Sequence, residues 1–256
     1  MTEIWISPRA CSQADRAGSL EESDWNRIRS YRPERFLRRR PGRETFLAGS
    51  WGIVKRYRGR DLAEALRDFI GARGFRSPGR REGENLADLG RAGIPVPEPR
   101  AWFQTGAESA VVMEAVDHRQ TLRDRLEAEP RQAREWVGPL AALVARLHES
   151  GWYHRDLYLQ HLVLAGESDP RLVLIDVGRA RHGSRIRRRW WIKDLAALLH
   201  STPDGVAART RLRFLAAYCD ARGVTQREER RSWARAVLAK AKRMAAHVPL
   251  EHRAPC

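Results

Sequence analysis

The sequence predicts an α+β protein of two lobes: a small antiparallel-sheet lobe over residues 1–114 and a helical lobe over residues 115–256. Three observations carry this expectation. Short strand-like runs crowd the first half, at Glu44–Ala48, Trp51–Tyr57, Ala101–Phe103 and Ala110–Met113. The second half repeats apolar residues at helical spacing, with Trp136, Leu140, Leu143, Val144 and Leu147 on one face and two further amphipathic stretches between Arg209 and Val248. Glu114-Ala115-Val116-Asp117 stands where one pattern gives way to the other.

Taken in order, Asp24 is placed to cap a short helix from Trp25. Arg27 to Arg43 holds eight arginines against one acid, Glu34. It reads either as a face for an anionic partner or as a solvated strand edge, where charge discourages aggregation. Gly49-Ser50 reads as a two-residue hairpin turn between the strands ending at Ala48 and starting at Trp51. Asp61 to Arg73 has helical apolar spacing, ended by Gly71, Gly74 and a Ser77-Pro78-Gly79 turn. A second helix follows from Arg81, with Leu86, Leu89 and Ala92 as its stripe and Gly93 closing it. The Ile94–Pro99 connector is stiffened by three prolines. In the second lobe Thr121 suits an N-cap, and Pro139 marks the first turn or a kink of the long helix.

The chemistry is concentrated in Gly151–Asp176 and in what leads to it. His154-Arg155-Asp156 precedes two short strands, Leu162–Leu164 and Leu172–Ile175, joined by turn residues. Asp176-Val177-Gly178 closes the second strand. Such a hairpin lets two carboxylates twenty residues apart converge. Phosphoryl transfer needs one carboxylate to orient and deprotonate a hydroxyl, and another to hold Mg2+ on the phosphates. HRD, strand, turn, strand, D-x-G is the catalytic signature of protein kinases, so the fold expected is protein-kinase-like. In it Asp156 serves the hydroxyl, with Arg155 beside it, and Asp176 serves the metal. His161 stands where protein kinases carry an Asn, as a metal ligand or phosphate neighbour. Ile53-Val54-Lys55 reads as the strand whose Lys holds ATP phosphates, with Glu82 or Glu84 as its partner. Backbone groups from Glu114 to Val116 are placed to meet an adenine. Arg39–Arg43 sits where a glycine-rich lid would lie but has one glycine. Asp194 is expected to brace the catalytic loop.

The charge is +16, and Arg179 to Lys193 carries seven basic residues, two tryptophans and no acid. Such surfaces attract nucleic acid, anionic lipid or phosphorylated sugars. Three cysteines without metal spacing fit a reducing compartment. No apolar run reaches eighteen residues, and the start lacks a signal-peptide core. The expected location is therefore cytoplasmic, with peripheral contact at a membrane surface.

HRDLYLQHLVL, LIDVGRAR, RWWIKDLAALLHS and GRETFLAGSWGIVKRYR together resemble the lipopolysaccharide core kinases of the Kdo/WaaP family over roughly residues 40–220. In that family His commonly follows the catalytic Asp by five, which fits His161, and its helix glutamate aligns with Glu82. The resemblance implies an ATP- and Mg2+-dependent kinase acting on heptose or Kdo. Its acceptor would be an anionic glycolipid, the lipopolysaccharide inner core, at the cytoplasmic face of the inner membrane, and no nucleic acid is expected as partner. Two other readings stay open. One is a small atypical protein kinase or antibiotic phosphotransferase; the other is a non-catalytic kinase-fold binder of anionic lipid or RNA.

Overall fold

The computed structural model describes residues 2–7, 24–59, 76–184 and 187–246. The helix expected over 61–73 lies outside the described residues. The chain forms two compact units: Met1–Val116 with Asp176–Gly178, and Asp117–Ile175 with Arg179–Cys256.

The first unit is built on strands β1 (Thr2–Ile6), β2 (Phe36–Arg40), β3 (Arg43–Leu47), β4 (Ile53–Arg58), β5 (Pro99–Thr105) and β6 (Glu108–Met113), with helices α1 (Asp24–Ser30) and α2 (Pro78–Arg91). The strands pair antiparallel in the order β1-β5-β6-β4-β3-β2. Residues of alternate parity face opposite sides of a sheet. One face buries Phe46, Val54, Ala101, Phe103 and Val112 together with Trp25 and Ile28 of α1. Trp25 stacks on Phe103 at 5.5 Å. Arg56 shares this face and is buried: it donates to the carbonyls of Ile28, Arg29 and Tyr31 at 2.9–3.0 Å, closing α1, and pairs with Glu44. Lys55 faces the other side, towards α2.

That helix lies close on the sheet because Gly79 and Gly83 remove side chains at the contact. A Cβ at Gly79 would stand 2.8 Å from the Ala110 backbone, and one at Gly83 2.7 Å from the Trp102 ring. β2 is the outer strand, with Arg38, Arg39 and Arg40 exposed, so the second alternative for the arginine-rich stretch, a charged edge, describes its fold.

The second unit contains β7 (His118–Thr121), α3 (Leu122–Ala128), α4 (Val137–Glu149), β8 (Trp152–Tyr153), β9 (Leu162–Ala165), β10 (Arg171–Leu174), β11 (Arg181–His182), α5 (Arg188–Ser201), α6 (Ala208–Ala221) and α7 (Arg227–Ala245). Leu147, Leu162, Leu195, Tyr218 and Trp233 belong to its core. Helix α5 packs against α7, and α4 against α6. Strands β9 and β10 form the expected hairpin, with Leu164 opposite Leu172. Thr121 caps α3 through a capping box with Asp124. Pro139 sits in the first turn of α4, where its missing N–H costs no helical hydrogen bond.

Several local expectations change. The Gly49-Ser50 turn is a longer connection built on a 3-10 turn, Gly49–Trp51, closed by Ala48 N–H to Gly52 O at 2.9 Å. The connection approaches another backbone so closely that a Cβ at Gly52 would stand 2.4 Å from Met113 O, and Gly52 takes a φ of 93°. Ser77-Pro78 is not a turn but a helix start: Ser77 caps α2, accepting from Arg80 N–H at 3.2 Å, and Pro78 occupies the first turn.

Candidate active site

In the first unit, register on β3 and β4 assembles a charged cluster. Lys55 donates to Glu82 Oε1 and, at 3.2 Å, to Asp176 Oδ1. Glu82, not Glu84, is therefore its partner; Glu84 is held by Arg76 and Arg80. Glu82 and Lys55 are both buried, so each charge leans on the other. The second oxygen of Glu82 accepts from the Tyr57 hydroxyl at 2.6 Å. Burial first, then the charge of Glu82, pushes the Tyr57 phenol well above its ordinary range, which keeps it a donor. Arg43, opposite Tyr57 in the β3–β4 register, lies 5.4 Å from the Tyr57 ring centre and donates to Asp176 Oδ1 at 2.7 Å. Burial alone would lower the Arg43 guanidinium, but Tyr57, Asp176 and Glu82 outweigh it and hold the charge on.

Asp176 adopts a φ of 58°, a left-handed conformation that few side chains take without compensation. The compensation comes from α2. Arg81 Nε donates to Gly178 O at 2.9 Å, and Asn85 Nδ2 to Val177 O at 2.8 Å. A Cβ at Gly178 would crowd Glu82 Oε2 at 3.2 Å. Leu47, Ile53 and Met113 share the Lys55 face of the sheet by register. Leu47 is half exposed, although apolar. Glu114 donates its N–H to Glu98 O at 2.8 Å. Val116 ends the first unit.

In the second unit the catalytic loop hangs from one carboxylate. Asp194, fully buried, accepts His154 N–H at 2.6 Å and Arg155 N–H at 2.8 Å. Arg155 takes a φ of 75°, so these hydrogen bonds secure a strained turn immediately before Asp156. His148 Nε2 lies 3.5 Å from Asp194 Oδ2, and its Nδ1 meets the Tyr218 hydroxyl at 2.8 Å. Burial lowers the His148 imidazole below its ordinary value, against the pull of Asp194. His161 Nδ1 lies 2.8 Å from Asp156 O. A carbonyl only accepts, so Nδ1 carries a proton. Arg179 Nη1 donates to both Asp156 oxygens, at 3.1 and 2.8 Å.

Asp156, Arg155 and His161 thus gather in one unit, and Lys55, Glu82 and Asp176 in the other. Arg43, Tyr57, Arg81 and Asn85 join the second set without having been singled out from sequence. The signals were there: Tyr57 lies two residues from Lys55 on the same strand face, and Arg81 and Asn85 lie one before and three after Glu82.

No group of three or more His, Cys, Asp or Glu suited to a metal occurs among the described residues. Mg2+ needs no such cage, because it takes one or two carboxylates and completes its shell with phosphate oxygens and water. The Asp176 carboxylate, partly open to solvent, fits that demand; imidazole is a softer donor than Mg2+ prefers.

A sheet unit presenting Lys–Glu–Asp and a helical unit presenting a braced HRD loop define a protein-kinase-like fold. Residues 33–218 match the Lipopolysaccharide kinase (Kdo/WaaP) family, and the chain belongs to that family. It is 31% identical over 191 residues to the lipopolysaccharide core heptose(I) kinase WaaP of Pseudomonas aeruginosa, covering 68% of this chain and 71% of that one. A WaaP of Escherichia coli is 26% identical over 189 residues, covering 67% and 71%. The solved structure of WaaP in complex with acyl carrier protein superposes with a TM-score of 0.64 at 25% identity, covering 94% of this chain and 99% of that chain. A kinase family of this fold implies use of ATP.

Proposed function

We propose that this protein transfers the γ-phosphate of ATP to a sugar hydroxyl, heptose or Kdo, of the lipopolysaccharide inner core. The observation that carries the reading is Lys55 joined to both Glu82 and Asp176, the arrangement phosphoryl transfer asks of a lysine that must meet phosphates with its charge fixed in place. The names of the relatives supply the acceptor class.

Each unit contributes its own groups. Lys55, held by Glu82, which Tyr57 in turn holds, neutralises phosphate charge. Asp176 is the carboxylate for Mg2+, which when bound supplies charge neutralisation on the phosphates. Asp156 orients the acceptor hydroxyl and takes its proton as that oxygen bonds to the γ-phosphorus and the bond to the ADP oxygen breaks. Arg179 must yield at least one Asp156 oxygen for this. Asp194 and His161 hold the loop that carries Asp156. Glu114 to Val116 offer backbone groups to the adenine. We place the protein in the cytoplasm, peripheral at the inner membrane. No helix among the described residues is long and apolar enough to cross a bilayer, and the +16 charge suits an anionic surface.

The test is mass spectrometry of the lipopolysaccharide core from cells with and without the protein. One phosphate missing from the core supports the reading, and an unchanged core removes it. A thermal shift with ATP and Mg2+, lost in Asp176→Ala, separates an enzyme from a non-catalytic binder.

A second partner follows from a cavity. We infer that an acyl carrier protein docks on the helical unit with its acyl chain in an apolar cavity of about 390 Å³, whose lining includes Leu126, Trp136, Leu140, Leu198, Phe214 and Val237. Leu212 and Leu238 also line it, and they are among the few exposed large apolar residues. The WaaP solved with acyl carrier protein supports this choice of occupant. Acylated carrier protein should raise the thermal midpoint and the unacylated form should not; equal effects exclude the cavity as the acyl site.

A further inference from the structure

We propose that Arg155, Arg179 and Lys193 form a subsite beside Asp156 that binds an acid group, phosphate or carboxylate, carried by the acceptor sugar. The inference rests on the kinase reading and deepens it, by naming the residues that select the acceptor.

Asp156 and Asp194 both act on Lys193, and Asp194 is already committed to two backbone N–H groups of the loop and stands beside His148. Asp156 is thereby shared between Lys193 and Arg179. Lys193 is half-buried on α5; burial first, then Arg179 and Arg155, act against its charge, while Asp156 and Asp194 support it. Arg155 and Lys193, partly withdrawn from water, favour an added anion, and the exposed Arg179 beside them can swing to meet it. Arg155 Nε, shut from solvent, has no hydrogen-bond acceptor among the described residues. Aromatic packing fixes the surroundings. Trp190 stacks on Tyr153 at 5.0 Å, and its ring lies 6.0 Å from the Arg155 guanidinium and 5.0 Å from that of Arg189.

Arg179 gives the subsite a mechanistic role. Its Nη1 occupies both oxygens of Asp156, the carboxylate that must accept the hydroxyl proton. An acid group on the acceptor competes for that guanidinium and draws it away, so that one carboxylate oxygen becomes available to the hydroxyl. A neutral sugar of the same shape leaves Arg179 where it is. Acidity of the acceptor thereby becomes a condition of turnover as well as of binding.

The experiment uses the full-length protein with inner-core lipopolysaccharide from cells lacking it, in three forms: native to those cells, stripped of its remaining phosphate, and with its carboxylates reduced. Wild type should prefer the native form by about tenfold or more in kcat/KM over whichever form lacks the recognised group, which identifies the source as phosphate or carboxylate. Arg179→Gln and Lys193→Met should each cut that preference by about tenfold while leaving the KM for ATP unchanged. A preference unaltered in both variants, or an effect on ATP alone, overturns the proposal. Calorimetric titration of deacylated core oligosaccharide without nucleotide separates this from failure of the kinase reading. Tighter binding of the acidic form by wild type, weakened in both variants, supports the subsite even if no phosphate is transferred. Equal affinity for acidic and neutral forms rejects it.

Discussion

The Lys55 cluster and the Asp156 loop solve the same problem, holding a charge in place, by opposite means. Around Lys55 the bonds run from side chain to side chain: Lys55 to Glu82 and Asp176, Tyr57 to Glu82, Arg43 to Asp176. Around Asp156 the loop backbone is what is held, by Asp194 and by His161, while the Asp156 side chain is met by the exposed Arg179. The difference teaches which groups can adapt. A buried side-chain network is fixed before any ligand arrives, whereas a rigid loop with a movable cation over its carboxylate can respond to what binds.

The largest effect is expected at Asp156. Asp156→Asn should lower kcat by about 10²–10⁴-fold, the usual worth of a positioned general base, with the thermal midpoint little changed because the backbone supports stay intact; a large loss of stability would show that the carboxylate itself holds the loop. Next in size, Lys55→Met should destabilise by about 3 kcal/mol, because it strands the buried charge of Glu82. Adding Glu82→Leu should recover part of that loss in chemical denaturation; failure to do so would mean the pair is not the unit of stability claimed for it. Tyr57→Phe should cost about 1 kcal/mol, one hydrogen bond to a buried carboxylate, and raise the KM for ATP more than that for the acceptor. An equal rise in both would blur the distinction between the clusters.

The smallest effect concerns pH. His148 has a folded value below its unfolded value, so the unfolded chain takes up the proton first. Its contribution is complete above the unfolded value, about 6.5, and is lost as pH falls below it. The thermal midpoint should drop between pH 7 and pH 5.5, and less steeply in His148→Gln. An identical slope in the variant would assign the drop to other groups.

The loop and its partners were legible because their signals are local: His154-Arg155-Asp156, Asp176-Val177-Gly178 and the apolar runs between them are contiguous. Lys55 and Asp194 were legible by their order along the chain, while order left Glu82 and Glu84 open and the family resemblance chose Glu82. Tyr57 shares the strand face of Lys55 and was open to the same reading, but Arg43 was not, because its place opposite Tyr57 depends on the β3–β4 register, which nothing in a single sequence marks. Ser77-Pro78 was misread because the same pair serves a turn and a helix start, and only the accepted Arg80 N–H decides. Strands β7, β8 and β11 carry two to four residues with little apolar alternation and form through pairing partners distant in the chain.

The grip of α2 on the Asp176 segment has a mechanical consequence. Glu82 reaches Lys55 while Arg81 and Asn85 clasp Gly178 and Val177, so three neighbouring side chains rivet the helix to the stretch bearing the metal carboxylate. A tilt of this helix would drag both along, and a disabling lesion anywhere on that turn should silence lysine and aspartate in the same stroke.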